Sequence, residues 1–254
     1  MADELLTEIR DRVMIITLNR PEAMNSVNKE LAQAMAAALE ELDANPDVSV
    51  GILSGGESRG FSAGMDLKAF VSGGMPNIEG RGFAGIVEKS ADKPLIAAVH
   101  GFALAGGLEI ALSCDLLVAE QGAKLGIPEV GVGLFAGAGA LSRLQRRVPY
   151  GMAMQMALTG EPITAEQGHA AGLVQVLADK GGALDAAIDL ANRIAKNAPL
   201  GLAASKKLIR DYGGLDQGFW ADQQPLIDSV FSSSDAIEGA TAFAEKRAPN
   251  WTGK

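Results

Sequence analysis

Apolar positions along the chain fall into two regimes. From Val13 to about Leu177 they cluster in short runs broken by Gly, Pro and polar turns. Past Gly181 they recur at helical spacing. The run Val13–Leu18 predicts a buried strand ended by Asn19-Arg20-Pro21. Ser26 or Asn28 caps a helix running to about Asp43, with Leu31, Met35, Leu39 and Leu42 as its stripe and Asn45-Pro46 as its stop. Further strands are expected over Val48–Leu53, Leu95–Val99, Leu116–Ala119 and Leu173–Leu177, with a short extended piece at Lys124–Pro128. Phe61–Leu67 reads as an extended piece turning into a helix, Val71–Arg81 as a loop around Gly73-Gly74 and Pro76, and Phe83–Lys89 as a helix. Buried helices are expected over Leu104–Ser113 and Ala138–Arg147. The tail reads as helices over Ala183–Lys196, Leu200–Tyr212, Gln217–Phe231 and Ala236–Lys246. Strands in the first two thirds and helices in the last third predict an α/β core with a helical tail.

Composition narrows this picture. The 254 residues, 48% of them hydrophobic, suffice for one large domain with a substantial core. No apolar run is long enough to cross a membrane, and Met1–Arg12 is polar and acidic rather than a signal segment, so a soluble, cytoplasmic protein is expected. A single cysteine, Cys114, permits no intrachain disulfide, and with only His100 and His169 beside it a zinc site is disfavoured. The formal charge of −9 argues against a nucleic-acid face but leaves room for a small anionic ligand held by local lysines. No solenoid repeat or low-complexity linker is present.

Candidate chemistry sits at two strand-to-helix turns, Phe61-Ser-Ala-Gly-Met-Asp-Leu67 and Phe102-Ala-Leu-Ala-Gly-Gly-Leu-Glu109. Small residues there leave backbone N–H groups uncovered where a helix begins, and those groups lack internal partners. Two such donors converging on one carbonyl oxygen make an oxyanion hole. The alternative is that the glycines only permit close helix packing. A phosphate loop is excluded, since neither G-x-x-x-x-G-K-[ST] nor G-x-G-x-x-G occurs at these turns. Glu109 and Glu129, each set among apolar residues beside a Gly-rich turn, read as an acid/base pair whose protonation a partly dry pocket can tune. Gly137 begins another small-residue helix start. His100 reads as a strand-end hydrogen-bonding residue, His169 as a surface residue and Cys114 as packing. Asp66 caps or orients the turn it follows, and no G-x-S-x-G serine elbow is present.

With these residues in hand the chain resembles the crotonase superfamily, the enoyl-CoA hydratase/isomerase family, over nearly its whole length. "NRPEAMNSVNKEL", "GFSAGMDLKAF", "HGFALAGGLEIALSCDLLVA", "LGIPEVGVGLFAGAGALSRL" and "EGATAFAEKRAPNW" are similar to the family's segments and occur in its order. The resemblance implies a crotonase-like ββα spiral core (residues 1–195) carrying the CoA site, and a helical oligomerisation region (residues 196–254). It implies a homotrimer or a homohexamer built as a dimer of trimers. It also implies an acyl-CoA substrate and no cofactor, metal, nucleic acid or membrane partner, CoA being part of the substrate. By the match, the backbone N–H groups of Ala63 and Gly106 form the oxyanion hole. Glu109 and Glu129 match the two glutamates that position and activate water for addition across the 2,3 double bond of a 2-enoyl-CoA. Ala23, Asn25, Gly64, Met65, Asp66, Leu67, Gly137, Phe243 and Lys246 fall at substrate- or CoA-binding positions, the last two across a subunit boundary. The alternatives are another crotonase reaction, such as enoyl-CoA isomerisation or hydration of a specialised acyl group, and a silent acyl-CoA-binding homologue, against which the two acids argue. Departures from the family pattern are Ala105 for the first of three glycines, Phe135-Ala136 for an aliphatic-proline pair, and Glu22 for a basic residue. The first two bear on the acyl pocket and the third on a phosphate contact.

Overall fold

A computed structural model describes residues 4–66, 76–132, 134–211, 225, 228–229 and 232–254, leaving aside the side chains of residues 240, 243 and 244. A six-stranded sheet forms the centre. It is built from β1 (Leu5–Arg10), β2 (Val13–Leu18), β3 (Val50–Ser54), β6 (Leu95–Val99), β8 (Leu116–Glu120) and β11 (Val176–Ala178), side by side in that order. The β1–β2 pair is antiparallel and every other pair is parallel. Parallel strands are covered on both faces, which is why they read as unbroken apolar runs. On one face Met14, Ile16 and Leu53 pack against α1 (Lys29–Ala44) and α2 (Gly106–Ser113). On the other, Val13, Ile15, Val50, Ile52, Ile96 and Val118 pack against Ala187 and Ala191 of α6 (Ala183–Ala195).

The predicted start of α1 holds: Asn28 is its cap, with Oδ1 accepting from the Leu31 N–H at 2.9 Å, and Leu31, Met35, Leu39 and Leu42 are buried. Elsewhere the structure departs from the pattern. Strand β1 was not expected, because only Leu5 of its residues is buried. It is an edge strand held by backbone pairing to β2, with the turn at Asp11 (φ 53°). Residues 83–89 are not a helix. Gly82–Phe83 is strand β5, paired with β4 (Asn77–Ile78), and the left-handed φ of Ala84 (56°) and Gly85 (69°) breaks any helix beyond it. The helix expected from Leu104 begins at Gly106, because Phe102–Leu104 is strand β7, paired with β9 (Lys124–Gly126). Strand β10 (Ile163–Thr164) completes that small sheet. Leu173 and Val174, expected to open a strand, are buried in the turn ahead of β11. Helices α3 (Ala140–Arg147) and α4 (Tyr150–Thr159), the latter unanticipated, lie between β9 and β10, and α5 (Ala165–Ala170) follows β10. The helix expected over 217–231 falls almost wholly outside the described residues, as do Leu67 and the first half of the 71–81 loop.

The tail is fastened at a few places. Helix α7 (Pro199–Asp211) docks through Lys206, which is 8% exposed. Its Nζ meets Asp115 Oδ2 at 2.7 Å and donates to the Lys93 carbonyl at 2.8 Å, while Asp115 Oδ2 also accepts from the Leu95 N–H. The other α7 pairs, Lys207–Asp211, Arg210–Asp211 and Arg210–Asp92, are at the surface and worth at most about 1 kcal/mol each. In α8 (Ser234–Glu245), Asp235 accepts from the Thr252 and Gly253 N–H groups and sews the chain end back onto the helix. Among the described residues no helix is long and apolar enough to cross a membrane.

Removing one partner of a mostly buried pair leaves the other charge uncompensated. Lys206→Ala is therefore expected to destabilise the protein by roughly 2–3 kcal/mol, discounted for the partial exposure of Asp115, whereas Lys207→Ala changes it little. Urea denaturation of the two variants checks the difference, and equal midpoints would show that the ion pair does not hold the tail.

Candidate active site

The two turns singled out in the sequence lie side by side because their backbones are laced together. Ser62 and Ala103 form a parallel bridge, in which the Ser62 N–H donates to the Phe102 carbonyl (3.3 Å) and the Leu104 N–H donates to the Ser62 carbonyl (3.0 Å). Gly107 sits where the second turn meets the first, and a Cβ there would run into the Ser62 carbonyl. A second bridge, Val27–Met65, ties the first turn to the segment before α1.

Asn25 stands under this junction and is fully buried. Its Nδ2 donates to the carbonyls of Gly55 (2.8 Å) and Phe61 (3.0 Å), and its Oδ1 accepts from the Arg20 N–H (3.0 Å). The Ser62 hydroxyl donates to the Asn25 carbonyl and accepts from the Gly64 N–H. Every polar atom of the Asn25 side chain is thus spent on backbone, so this side chain, placed by resemblance at a binding position, is a strut for the turn. Asp66 faces Arg20 at 3.3 Å, and Arg20 also approaches Glu4 at 3.5 Å.

A cavity of about 580 Å³ opens over the laced turns. It is lined by Ala63, Met65, Ala105, Gly106, Glu109, Glu129 and Gly137, joined by Asn77, Phe83, Glu88, Val132, Leu134, Phe135 and neighbouring residues. The sequence-derived donor at Ala63 is corrected by its hydrogen bonding: the Ala63 N–H already donates to the Met24 carbonyl at 3.0 Å. Among the described residues the N–H groups of Met65 and Gly106 are taken by no protein oxygen, both residues line the cavity, and the Gly106 nitrogen lies against Gly64. The pair of open donors is therefore Met65 and Gly106. Ala105, ahead of Gly106, has φ 51° and ψ −130°, a conformation that costs a residue with a side chain roughly 1–3 kcal/mol. Phe83 packs its ring over Gly106.

Glu109, on the first turn of α2, is 4% exposed. Its Oε1 accepts from the Ala138 N–H (2.7 Å) and the Ala140 N–H (3.1 Å), at the small-residue start of α3. Burial raises its pKa, opposed by those two N–H groups and by the Arg143 charge. Glu129, in a 3-10 turn after Pro128, is half-buried, and its Oε2, closed off from water, has no hydrogen-bond partner among the described residues. Burial raises its pKa too. Its own N–H opposes the rise and the nearby Glu109 charge adds to it. Two carboxyls thus face one mostly apolar cavity, each with an increased hold on its proton, and Glu109 has the better support for its charge.

Of the other sequence-predicted residues, Gly137 lines the cavity, while Ala23, Gly64, Asp66 and Lys246 do not. Lys246 is exposed at the end of α8, and Leu67 and the Phe243 side chain lie outside the described residues. Sequence reasoning missed Asn77, Phe83 and Glu88, which a β-hairpin and an irregular loop bring to the cavity without any local signal. His100 meets the Ser58 carbonyl at 2.8 Å and His169 is exposed, as read from the sequence. Cys114 is buried, with its thiol pushed up to about 12. Among the described residues no group of His, Cys, Asp and Glu is placed to hold a metal ion.

Comparison with known proteins agrees with this geometry. A family described as enoyl-CoA hydratase/isomerase matches residues 8–254. The crystal structure of enoyl-CoA hydratase EchA1 from Mycobacterium marinum superposes with a TM-score of 0.96 at 52% identity, covering 99% of this chain and all of that one. The 2,3-dehydroadipyl-CoA hydratase of Escherichia coli K12 is 36% identical over 99% of both chains. The carnitinyl-CoA dehydratase of Salmonella typhi is 35% identical over the full length of both. With its crotonase fold, its laced turns and a match along almost all of its length, the chain belongs to the enoyl-CoA hydratase/isomerase family.

Proposed function

We propose that the protein is an enoyl-CoA hydratase that adds water across the 2,3 double bond of a 2-enoyl-CoA thioester. The observation that carries this reading is the convergence of two open backbone donors and two carboxyls on one cavity. The Met65 and Gly106 N–H groups receive the thioester carbonyl oxygen, Met65 taking the role first given to Ala63. The chemistry follows from which acid holds its charge better. Glu109, supported by two N–H groups and a nearby cation, acts as the base: it takes a proton from water as the water oxygen bonds to C3. The π electrons move through C2 onto the carbonyl oxygen, where the two donors meet the growing charge. Glu129, with only its own N–H to support its anion, delivers a proton to C2 and the carbonyl re-forms. One proton passes from Glu109 back to Glu129 to reset the site, and the net change is the addition of one water. Nothing in this sequence calls on a cofactor; CoA enters as part of the substrate.

Three carboxylates, Glu88, Glu109 and Glu129, and no Lys, Arg or His occur among the described lining residues, and Phe83 and Phe135 add ring faces. This favours an acyl chain that is neutral or positively charged at its far end over one ending in a carboxylate. Residues 196–254 serve assembly, and a trimer or a dimer of trimers would cover apolar side chains that one chain leaves open, among them Val132, Phe135, Tyr150, Leu158 and Ile209. Sedimentation is expected to give three or six copies, and a monomer at micromolar concentration would remove this part of the reading.

Glu109→Gln and Glu129→Gln are each expected to lower turnover of but-2-enoyl-CoA by roughly 10²–10⁴, measured as loss of the conjugated thioester absorbance. Wild-type rates in both would overturn the mechanism. Because both carboxyls hold protons more tightly than free ones, the acid limb of kcat/KM should lie above the ordinary carboxylate range, reporting the pair rather than either residue. The sign for stability is opposite to that for activity. A carboxyl whose folded pKa is raised costs stability as pH rises from its unfolded value through that raised one, because the unfolded chain gives up the proton more readily than the folded one. Glu109→Gln should therefore melt no lower than wild type at pH 7 despite its lost turnover.

Glu88 is exposed enough for its charge to be screened, so its effect on selection is about tenfold rather than larger. Glu88→Lys should raise the kcat/KM ratio of a carboxylate-ending 2-enoyl-CoA to but-2-enoyl-CoA by about that factor. An unchanged ratio would remove Glu88 from substrate selection.

A further inference from the structure

Arg143 enters the steps above only as a charge near Glu109, yet its placement is costly. The side chain, on α3 behind the cavity wall, is half-buried and makes no ion pair with a described residue. A guanidinium in that position is tolerated only if its donors are satisfied. Here Nη1 donates to the Ala138 carbonyl at 3.1 Å and Nη2 donates to the Val87 carbonyl. The guanidinium lies over Gly139, whose φ is +100°, in the space a side chain at that position would fill. The peptide it grips is continuous with the one that grips Glu109: Ala138 gives its carbonyl to Arg143 and its N–H to Glu109 Oε1. Val87 is itself in the cavity wall.

We propose that Arg143 is a positioning residue for Glu109: it pins the Gly137–Gly139 turn to the loop after β5, so that the Ala138 and Ala140 N–H groups face the carboxylate, and it sets a positive charge behind that carboxylate. The inference rests on the reading of Glu109 as the base. The charged groups around Glu109 are Arg143 from α3, with Arg147 one turn further on, Glu129 from the 3-10 turn, and Glu88 from the loop after β5, which lines the same cavity. Arg143 is the cation whose charge acts on Glu109. It opposes the cost of burying that carboxyl as an anion. Neither Glu109 nor its two N–H donors would be displaced from the sequence by losing Arg143; what would change is how firmly the turn is held and how readily Glu109 gives up its proton.

The test compares Arg143→Lys, Arg143→Gln and Arg143→Met, each checked for fold by circular dichroism and melting, using but-2-enoyl-CoA. Removing the charge should move the acid limb of the kcat/KM profile to higher pH. The loss of activity relative to wild type should then be at least about threefold deeper at pH 6 than at pH 8 in Gln and Met. Arg143→Lys, which restores the charge, should keep the limb near the wild-type position. The defect should fall on kcat more than on KM, since Arg143 touches no substrate. If Met does not fold, Gln, which keeps a donor without the charge, is read against Lys. Equal losses at both pH values in Gln or Met, or a limb displaced as far in Lys as in Gln, would overturn the proposal and leave Arg143 a packing residue. If the wild-type enzyme hydrates but-2-enoyl-CoA and Glu109→Gln retains that activity, the reading of Glu109 fails first, and the limb shift in the Arg143 variants loses its meaning with it.

Discussion

The close approach of two backbones at Ser62 and Gly107 is the constraint on which the site depends. Two turns that follow the neighbouring parallel strands β3 and β6 must touch, and they touch through peptide groups rather than side chains. The bridge between Ser62 and Ala103 sets their relative height, Gly107 allows the contact, and Asn25 gathers three backbone groups beneath it. The consequence is that Met65 and Gly106 present N–H groups that no described residue uses. Donors fixed in this way need no reorganisation when charge develops before them, which is where such sites gain most over water.

The second constraint is electrostatic, and it opposes the first in stability terms. A carboxyl in a mostly apolar cavity is disfavoured as an anion, and a second one nearby makes matters worse. The fold does not remove that penalty. It divides it unequally, giving Glu109 two N–H donors and the Arg143 charge while leaving one Glu129 oxygen dry and unpartnered. In the proposed reaction, unequal support is what would let two identical side chains take different roles, one accepting a proton and one delivering it.

Away from the cavity the same chain behaves as an ordinary α/β protein. The parallel strands are covered by α1 and α2 on one face and α6 on the other, and α7 is fastened to the core through a mostly buried lysine rather than by its surface charges. Ala105 is an exception to local propensity: a residue with a side chain held in a glycine-favouring conformation at the edge of the site. Strain of that kind persists only where the surroundings over-determine it, here by β7 on one side and the start of α2 on the other.

Sequence alone determined what depends on local chemistry. The apolar runs of the parallel strands, the stripe of α1 with a cap at Ser26 or Asn28, and the small-residue turns with Glu109 and Glu129 beside them are all written in contiguous residues, because burial on both faces, capping and helix periodicity are short-range patterns. The family segments share that property, and so the family was legible as well. Tertiary structure alone decided which N–H of the first turn stays open, since the Ala63 N–H is taken by Met24, a partner some forty positions earlier that no local pattern marks. It likewise turned Asn25 from a presumed ligand contact into a strut, broke the helix expected at 83–89 into a hairpin and loop, and brought Phe83 and Glu88 to the cavity. Those outcomes depend on long-range hydrogen bonds and close contacts, whose partners are set by how the layers pack and not by the spacing of residues along the chain.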